Sequence, residues 1–473
     1  MSFNILGNGL TGLQASQQAL NVISQNIANA STPGYVRQRA ILESQQTAPG
    51  AANVYTGNST QFMGVAVTGV ERIASAFKQA ALNSAIGKQE ALSAQAAPLD
   101  NVQGLLQEPG TTGFASQLNQ FYTSWSNLGN APTTGTSDGG AVINGAAAGV
   151  VIQQANTLAS SLNTLSQGVA SEYGNQYANL TGVVDQVNAA VQKVAQLNQQ
   201  ILQGQGSGSN VNSLLDQRDQ AATEIVRLTG ATAVTDDEGV MQVAVSGVTL
   251  VQGNAFNTVS ITGSPTIDDN PDNPVSLMVG TVKAVPSGGQ AAGVLSALNT
   301  DLPRISDTLD TVANGLRDAV NSVHTSGYTL AGTPGGEFFT GEGARGLTVA
   351  VGSADELAIS SVSSASTDGS NAQKIGRLVD AAAASAALNG ATAPQTVYTS
   401  MVTQIGTQLQ GLNTAIDSQA GIVATAQSAV DSESGVDLNE ELTNMILFQR
   451  SFQANSRVIS AADEMLQSLI GMV

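Results

Sequence analysis

VDLNEELTNMILFQRSFQANSRVISAADEMLQSLIGMV, residues 436–473, is the stretch around which the chain is organised. Leu438, Met445, Phe452, Ile459, Leu466 and Val473 recur every seven residues. Leu442, Phe448, Ala462 and Leu469 fill neighbouring seam positions, and polar Asn455 occupies another. No Pro or Gly interrupts the run before Gly471. A sustained heptad is a coiled-coil seam, and a seam needs a partner helix.

The comparable stretch lies at the other end of the chain. Leu6, Leu13, Leu20 and Ile27 are also spaced by seven, with Leu10 and Ile23 broadening the stripe. Residues 1–36 contain no charged side chain; Arg37 is the first. Gly7, Gly9 and Gly12 each disfavour helix by about 1 kcal/mol relative to Ala, so this helix gains its order from packing. Its neutral, amide-rich remainder suits a helix crowded among copies of itself, where charge is costly to bury. The breaker cluster Ser31-Thr32-Pro33-Gly34 ends it near Ala30.

Composition narrows the function classes. A chain of 473 residues supports two to four domains. Only 11% of residues are charged, and the net charge of −19 offers no basic stripe for nucleic acid or an anionic membrane surface. Cysteine is absent, which excludes disulfides and thiolate chemistry. No apolar run is long enough for a transmembrane helix. The N-terminus lacks the basic and apolar regions of an ordinary signal peptide, so export would need a route that does not read one.

Between the ends, residues 35–73 read as strands, and 74–106 and 114–128 as helices. Leu118, Phe121, Trp125 and Leu128 share a stripe, with Trp125 as a core anchor. Residues 129–142 read as a loop, and helix returns over 147–203, with Val183, Val187, Val191, Val194, Leu197 and Ile201 as its core stripe. Residues 231–290 turn to Val, Thr and Gly and predict a β-rich insertion. Helix resumes over 291–323, a Gly-rich segment with short strands follows to 363, and 371–431 is mostly helical.

The expected fold is mainly α with a β-rich insertion. Its parts are a terminal antiparallel coiled coil (1–35 and 436–473), a helical-bundle domain (36–230, 291–327 and 364–435) and a β-rich outer region (231–290 and 328–363).

Nothing in the residues supports catalysis. His324 is the sole histidine and sits at a predicted helix end, where a capping or core role fits. Gly341, Gly343 and Gly346 match the spacing of a dinucleotide loop but precede strand-like LTVAV rather than a helix. Asp268, Asp269 and Asp272 lack the glycine and distal glutamate of a calcium loop. Asp216, Arg218 and Asp219 read as an ion-pair or capping network. No cofactor and no metal are expected.

Residues 24–38, SQNIANASTPGYVRQ, resemble the N-terminal signature of bacterial flagellar rod, hook and hook-associated proteins, with Asn26, Asn29, Pro33, Gly34, Tyr35 and Arg37 as motif positions. Glu440-Glu441, Phe448-Gln449, residues 452–455 (FQAN) and 459–463 (ISAAD) resemble the matching C-terminal signature. Three internal stretches resemble the hook-associated protein 1 family in particular. They are Leu197–Ile201 with 213–219 (SLLDQRD), 321–327 (NSVHTSG) with 335–339 (GGEFF), and 434–440 (SGVDLNE). The chain departs from the family near 131–142 and in a short middle, which implies a reduced outer domain.

The resemblance implies a non-catalytic structural subunit joining hook to filament and required for filament assembly. It would leave the cell by flagellar type III export, without a cleaved signal peptide. The implied partners are further copies of the chain in a helical ring, hook protein, hook-associated protein 3, and an export chaperone at the C-terminal region. The subunit-packing residues are expected to be Leu6, Leu13, Leu20, Ile27, Leu438, Leu442, Met445, Phe452, Ile459, Leu466 and Leu469. The alternative is another axial component, such as hook or distal rod protein. The helical block 147–230 and the 321–327 stretch favour hook-associated protein 1.

Overall fold

A computed structural model describes residues 2–46, 62–135, 141–236, 238–364 and 367–471. Residues 136–140 of the expected loop and heptad position Val473 lie outside them. The chain is mainly helical, with small antiparallel sheets.

Helix α1 (Ser2–Ala28) is followed by a hairpin of β1 (Gln38–Gln46) and β2 (Phe62–Arg72), then α2 (Ala76–Leu106) and α3 (Phe114–Asn130). Strands β3 (Thr133–Gly135) and β4 (Ala141–Ile143) precede the 62-residue α4 (Gly145–Gly206) and α5 (Asn212–Thr229). A four-stranded sheet follows, of β5 (Thr232–Thr235), β6 (Met241–Val245), β7 (Val248–Gln252) and β8 (Ala255–Phe256). A three-stranded sheet is made of β9 (Val259–Thr262), β10 (Ser276–Val279) and β11 (Val282–Ala284).

Next come α6 (Gly289–Ser296), a π-helical turn (Ala297–Asp301) and α7 (Leu302–His324). Strand β12 (Phe339–Thr340), the single turn α8 (Gly343–Gly346) and β13 (Thr348–Val349) lead to the short helices α9 (Ser370–Gly376) and α10 (Ala381–Ala387). Two long helices close the chain, α11 (Pro394–Ser434) and α12 (Leu438–Ile470).

Two compact units emerge from the packing: Met1–Gly87 with Val187–Thr258 and Gln419–Val473, and Lys88–Gln186 with Val259–Ser418. In the first unit, β1 and β2 pair antiparallel from Gln38↔Arg72, with register shifts after Ile41 and Ser44, and Arg39 pairs with Glu71 across the hairpin. Arg72 reaches Asp216 at 2.7 Å and Asp219 at 2.8 Å, which ties the hairpin to α5. The β5–β8 sheet is pinned to α4 by buried Asn198. Its amide donates to the carbonyls of Met241 (2.8 Å) and Gly253 (2.9 Å), and its Oδ1 accepts from the Met241 N–H. Met241, Val243 and Val245 alternate inward.

The second unit is built on an aromatic core. Trp125 and Phe338 ring centroids lie 5.2 Å apart, Phe121 and Phe339 5.7 Å, and all four side chains are fully buried. Asn321 organises it: its Oδ1 accepts from the Phe338 and Phe339 N–H groups, and its Nδ2 donates to the Phe339 carbonyl at 2.7 Å. The two sequence stretches around Asn321 and Phe338 are thus one structural feature. His324 is buried in the same core. Its Nδ1–H donates to the Gly336 carbonyl (2.7 Å) and its Nε2 accepts from the Ala358 N–H (3.0 Å).

Several expected features take a different form. The 129–142 loop contains paired strands, Thr133 opposite Ile143. The helix expected over 291–323 runs through, with a π turn inside it at Ala297–Asp301. There the Asn299 side chain bonds both backbone groups of Val275, at 2.9 and 2.8 Å. The glycine loop at 341–346 forms one helical turn, held by Asp310 and Asn314 accepting from the Ala344 and Gly343 N–H groups. The expected division into a helical domain and a single β-rich region 231–290 plus 328–363 does not follow the packing. Residues 232–256 belong with the first unit, because Asn198 bonds them to α4, and β9–β11 with the second, because Tyr173 and Asn299 bond that region.

Burial holds the His324 pKa below its ordinary value, against a smaller opposing effect of the Gly336 bond. A lowered folded-state pKa means the unfolded chain binds more protons below about pH 6.5, so stability is lost as pH falls through that value. We expect the Tm of the chain to fall between pH 7 and 5. His324→Gln should lose about 1–3 kcal/mol at pH 7 and show a flatter decline. Parallel melting curves across that range check both, and identical slopes would contradict the assignment.

Candidate assembly interface

Helices α1 and α12 come from opposite ends of the chain and pack along each other. Ser16 Oγ donates to Ser451 Oγ (3.1 Å), and Asn26 Nδ2 to Glu441 Oε2 (3.1 Å). Gly12 faces Asn455, whose Nδ2 would lie 2.7 Å from a Cβ at that position. Gly9 faces Ile459, with 2.9 Å to its Cγ1. Positions 12, 16 and 26 therefore oppose 455, 451 and 441, each step along one helix matched by an equal step back along the other. The helices run antiparallel in one constant register.

The buried face of α1 is small along most of its length, with Gly9, Gly12, Ala15, Ser16 and Ala19, and widens to Val22, Ile23 of the expected stripe and Asn26 near the foot. The leucine stripe expected to be the seam is displaced from it: Leu6, Leu13, Leu20 and Ile27 are half-buried, and Leu10 is exposed. The physical reason is the close approach at Gly9 and Gly12. A backbone this near α12 leaves no room for leucine between the helices, and a second side of α1 is taken by β1 and β2.

On α12, Met445, Phe448, Phe452, Asn455, Ile459 and Leu466 form a half-buried stripe around buried Ala462. Leu438 and Leu442, expected in the seam, are exposed, and the Leu469 side chain lies outside the described residues. Ile446, Leu447, Val458 and Met465 also stand in solvent, Leu447 with 61% of its surface exposed. The open side of α1 carries Gln14, Gln17, Gln18, Asn21, Ser24 and Gln25, all exposed and none charged.

The turn after α1 makes the foot of the pair. Fully buried Asn26 uses its whole carboxamide. Oδ1 accepts from Tyr35 Oη–H (2.8 Å) and the Gln38 N–H (3.0 Å), while Nδ2 donates to the Gln38 carbonyl (2.8 Å) and to Glu441. Asn29 closes the helix end, donating to the Gln25 carbonyl and accepting from Thr32 Oγ1. The Pro33 carbonyl accepts from Gln220 Nε2 (2.7 Å). Gly34 holds φ +75°, with the Gln220 amide where a Cβ would stand, so both conformation and space require glycine.

Arg37 meets Glu440 through two hydrogen bonds (2.8 and 2.7 Å), and its Nε lies 3.4 Å from Glu441 Oε1. Burial, with Asp216 and Glu441 nearby, pushes the Tyr35 hydroxyl up to about 12, so it stays protonated and donating. Burial also raises the Asp216 carboxyl, against the lowering effect of Arg72. Asn212 and Gln220 complete the foot from α5, Asn212 bonding Gln38 Oε1 (2.9 Å) and the Val70 carbonyl (3.0 Å). No periodicity or spacing marks either of them in the sequence. On α12 the signal is the Glu440-Glu441 doublet in its first turn, and on the α1 side it is the breaker cluster at 31–34 with Asn26, Tyr35 and Arg37 around it.

Among the described residues, no group of His, Asp and Glu is placed to hold a metal ion, and no helix is long and apolar enough to cross a membrane. Asp268 pairs with Arg345 at 2.7 Å, and Asp269 accepts from the Ser264 and Thr266 hydroxyls. An open groove of about 560 Å³ beside α3 is lined mainly by neutral side chains such as Ser116, Asn119, Gln120 and Gln154. What the terminal pair offers is packing: a fixed register, an uncharged face and apolar side chains in water.

Residues 99–339 match the family model described as flagellar hook-associated protein FlgK helical domain. Residues 6–35 match that of flagella basal body rod protein, and 426–472 that of the flagellar basal body rod FlgEFG protein C-terminal region. Flagellar hook-associated protein 1 of Escherichia coli K12 is 25% identical, over 99% of this chain and 100% of that protein. The Bacillus subtilis 168 protein of the same name is 27% identical, over 97% and 96%. The solved flagellar hook junction protein FlgK from Burkholderia pseudomallei superposes with a TM-score of 0.63 at 17% identity, over 75% of this chain and 100% of that one, and so shares the fold.

Gly12 and Gly7 make a controlled comparison, because a Cβ at Gly7 meets nothing within 4 Å. Gly12→Val should cost about 1–3 kcal/mol of pairing energy by overpacking, whereas Gly7→Ala should favour the helix by about 1 kcal/mol. Incorporation into flagella of cells lacking their own copy is the measurement. We expect a tenfold or greater loss for Gly12→Val and none for Gly7→Ala; equal behaviour would contradict the register.

Proposed function

The chain belongs to the flagellar hook-associated protein FlgK family, and from that premise we propose that its paired terminal helices are the element that builds it into the flagellum. It is a structural subunit of the bacterial flagellum, hook-associated protein 1 in type, at the junction of hook and filament. Another axial identity is not favoured, because residues 99–339 follow the FlgK helical domain.

In this proposal α1 and α12 enter the axis together. One observation carries it: a helix pair locked in register still leaves Leu10, Leu438, Leu442, Leu447 and Val458 in water. Leu438 with Leu442 and Leu447 with Val458 line opposite sides of α12, and apolar side chains left in water on both flanks of a fixed pair are surfaces for other proteins to cover. Copies of the same chain, related by a helical operator, can bury it repeatedly. The uncharged face of α1 makes such crowding inexpensive, since amides can be hydrogen-bonded between neighbours whereas buried charges need partners. Leu6, Leu13, Leu20 and Ile27 are then shared between the pair and the next subunit, as are Met445, Phe452, Ile459 and Leu466.

Hook protein and hook-associated protein 3 are the proposed neighbours at the two axial ends. Before assembly the exposed stripes have nothing to bury against. Joining the axis then completes the burial of the pair, and an export chaperone shields the C-terminal region until then. Export proceeds through the flagellar type III route. The role is mechanical, with no catalytic step.

Removing residues 438–473 should leave a folded remainder and cells with hooks but no filaments. Leu447→Asp should change the stability of the isolated chain by less than about 0.5 kcal/mol, as for an exposed position, yet abolish incorporation. Phe452→Asp, at the half-buried stripe, should also block incorporation. Electron microscopy of complemented cells and melting of the purified chains read these outcomes. Filamentous cells with either the truncation or Leu447→Asp would refute the proposal.

A further inference from the structure

The foot of the terminal pair is asymmetric in a way that bears on how the two helices find each other. Three of the four bonds of Asn26 go to Tyr35 and Gln38, and only the fourth reaches α12. Arg37 is fixed through its backbone: its N–H donates to the Ser434 carbonyl (2.9 Å), and its carbonyl accepts from the Ile73 N–H (2.9 Å). Gln38 is held in turn by Asn212. None of these contacts needs α12, so Asn26 Nδ2 is aimed and the Arg37 backbone is placed before α12 arrives, leaving the guanidinium to close on Glu440 and Glu441.

The opposing partner is equally self-contained. Asp437 caps α12, its Oδ1 accepting from the Asn439 (2.8 Å) and Glu440 (3.3 Å) N–H groups. Glu440 and Glu441 sit in the first turn, where carboxylates stabilise a helix N-terminus. Glu441 has only 3% of its side chain exposed and meets Asn26 and Arg37. A carboxylate this buried is costly unless those partners are in place, which makes any other docking of α12 unfavourable.

We propose that Asn26 and Arg37, facing Glu440 and Glu441, form a preformed socket that sets the register of the pair and is the point from which the helices zip toward the chain ends. Loop closure argues the same way. Arg37 and Ser434 are already bonded, so bringing Glu440 to Arg37 closes almost no additional chain. Bringing Ile459 to Gly9 first would close a long loop at each helix. Helix nucleation, socket and covalent anchor coincide at one end. This inference rests on the terminal pair being the assembly element, and concerns how that pair forms.

The chain has no cysteine, so Ser16→Cys with Ser451→Cys reports pairing directly through a disulfide. A second pair, Ser16→Cys with Asn444→Cys, reports a seven-residue slip. In the full-length chain we expect Arg37→Gln or Glu441→Gln to slow the in-register crosslink at least tenfold and to raise the slipped product relative to it. Glu440→Gln, at an exposed position, should slow it about two- to fivefold without affecting the fold. Unchanged in-register rates in all three variants would overturn the socket. If Leu447→Asp were to assemble normally while the socket variants behaved as expected, the assembly reading alone would fail.

Discussion

Everything in the terminal region depends on how near α1 and α12 come at Gly9 and Gly12. Backbones separated by no more than the Asn455 amide and the Ile459 side chain admit no larger residue between them. That distance is compatible with the one register in which Ser16 meets Ser451 and Asn26 meets Glu441. The apolar stripes are turned outward as a consequence. The pair is thus narrow, specific and incompletely buried, and its exposed leucines are a by-product of the constraint that fixes its geometry.

That combination suits a subunit whose ends must join a polymer. A pair that buried all its leucines internally would be a stable domain with nothing left to bind. Here the internal contact supplies specificity through small side chains and a few polar bonds, while side chains such as Leu10, Leu442 and Leu447 stay available for neighbours. The globular part holds the anchor. Through Arg72, Asp216, Asn212 and Gln220, α5 and the hairpin brace the turn at 29–38, so force on the helices reaches the fold through hydrogen bonds and ion pairs.

Much of this was legible in the residues. The α12 heptad and the uncharged α1 helix announce themselves by period, and the breaker cluster at 31–34 places the turn. The face of α1 that packs did not announce itself. Period-seven leucines outweigh Gly12, Ala15, Ser16 and Ala19 in any hydrophobic pattern, yet close approach selects the small residues. Leu438 keeps the heptad and Leu442 the neighbouring seam position, but in that first turn Glu441 takes the inward side. Asn212 and Gln220 act through space from α5, a relation no local pattern encodes. The β-rich middle was recognised by composition, while its division between two units depends on single anchors such as Asn198 and Asn299.

The most direct measurement is an electron cryo-microscopy reconstruction of the hook–filament junction containing this chain. The account predicts α1 and α12 of one subunit antiparallel, Gly12 opposite Asn455, with Leu10, Leu447 and Val458 covered by neighbouring subunits. A junction in which those side chains remain in solvent, or in which Gly12 faces a residue other than Asn455, would contradict it.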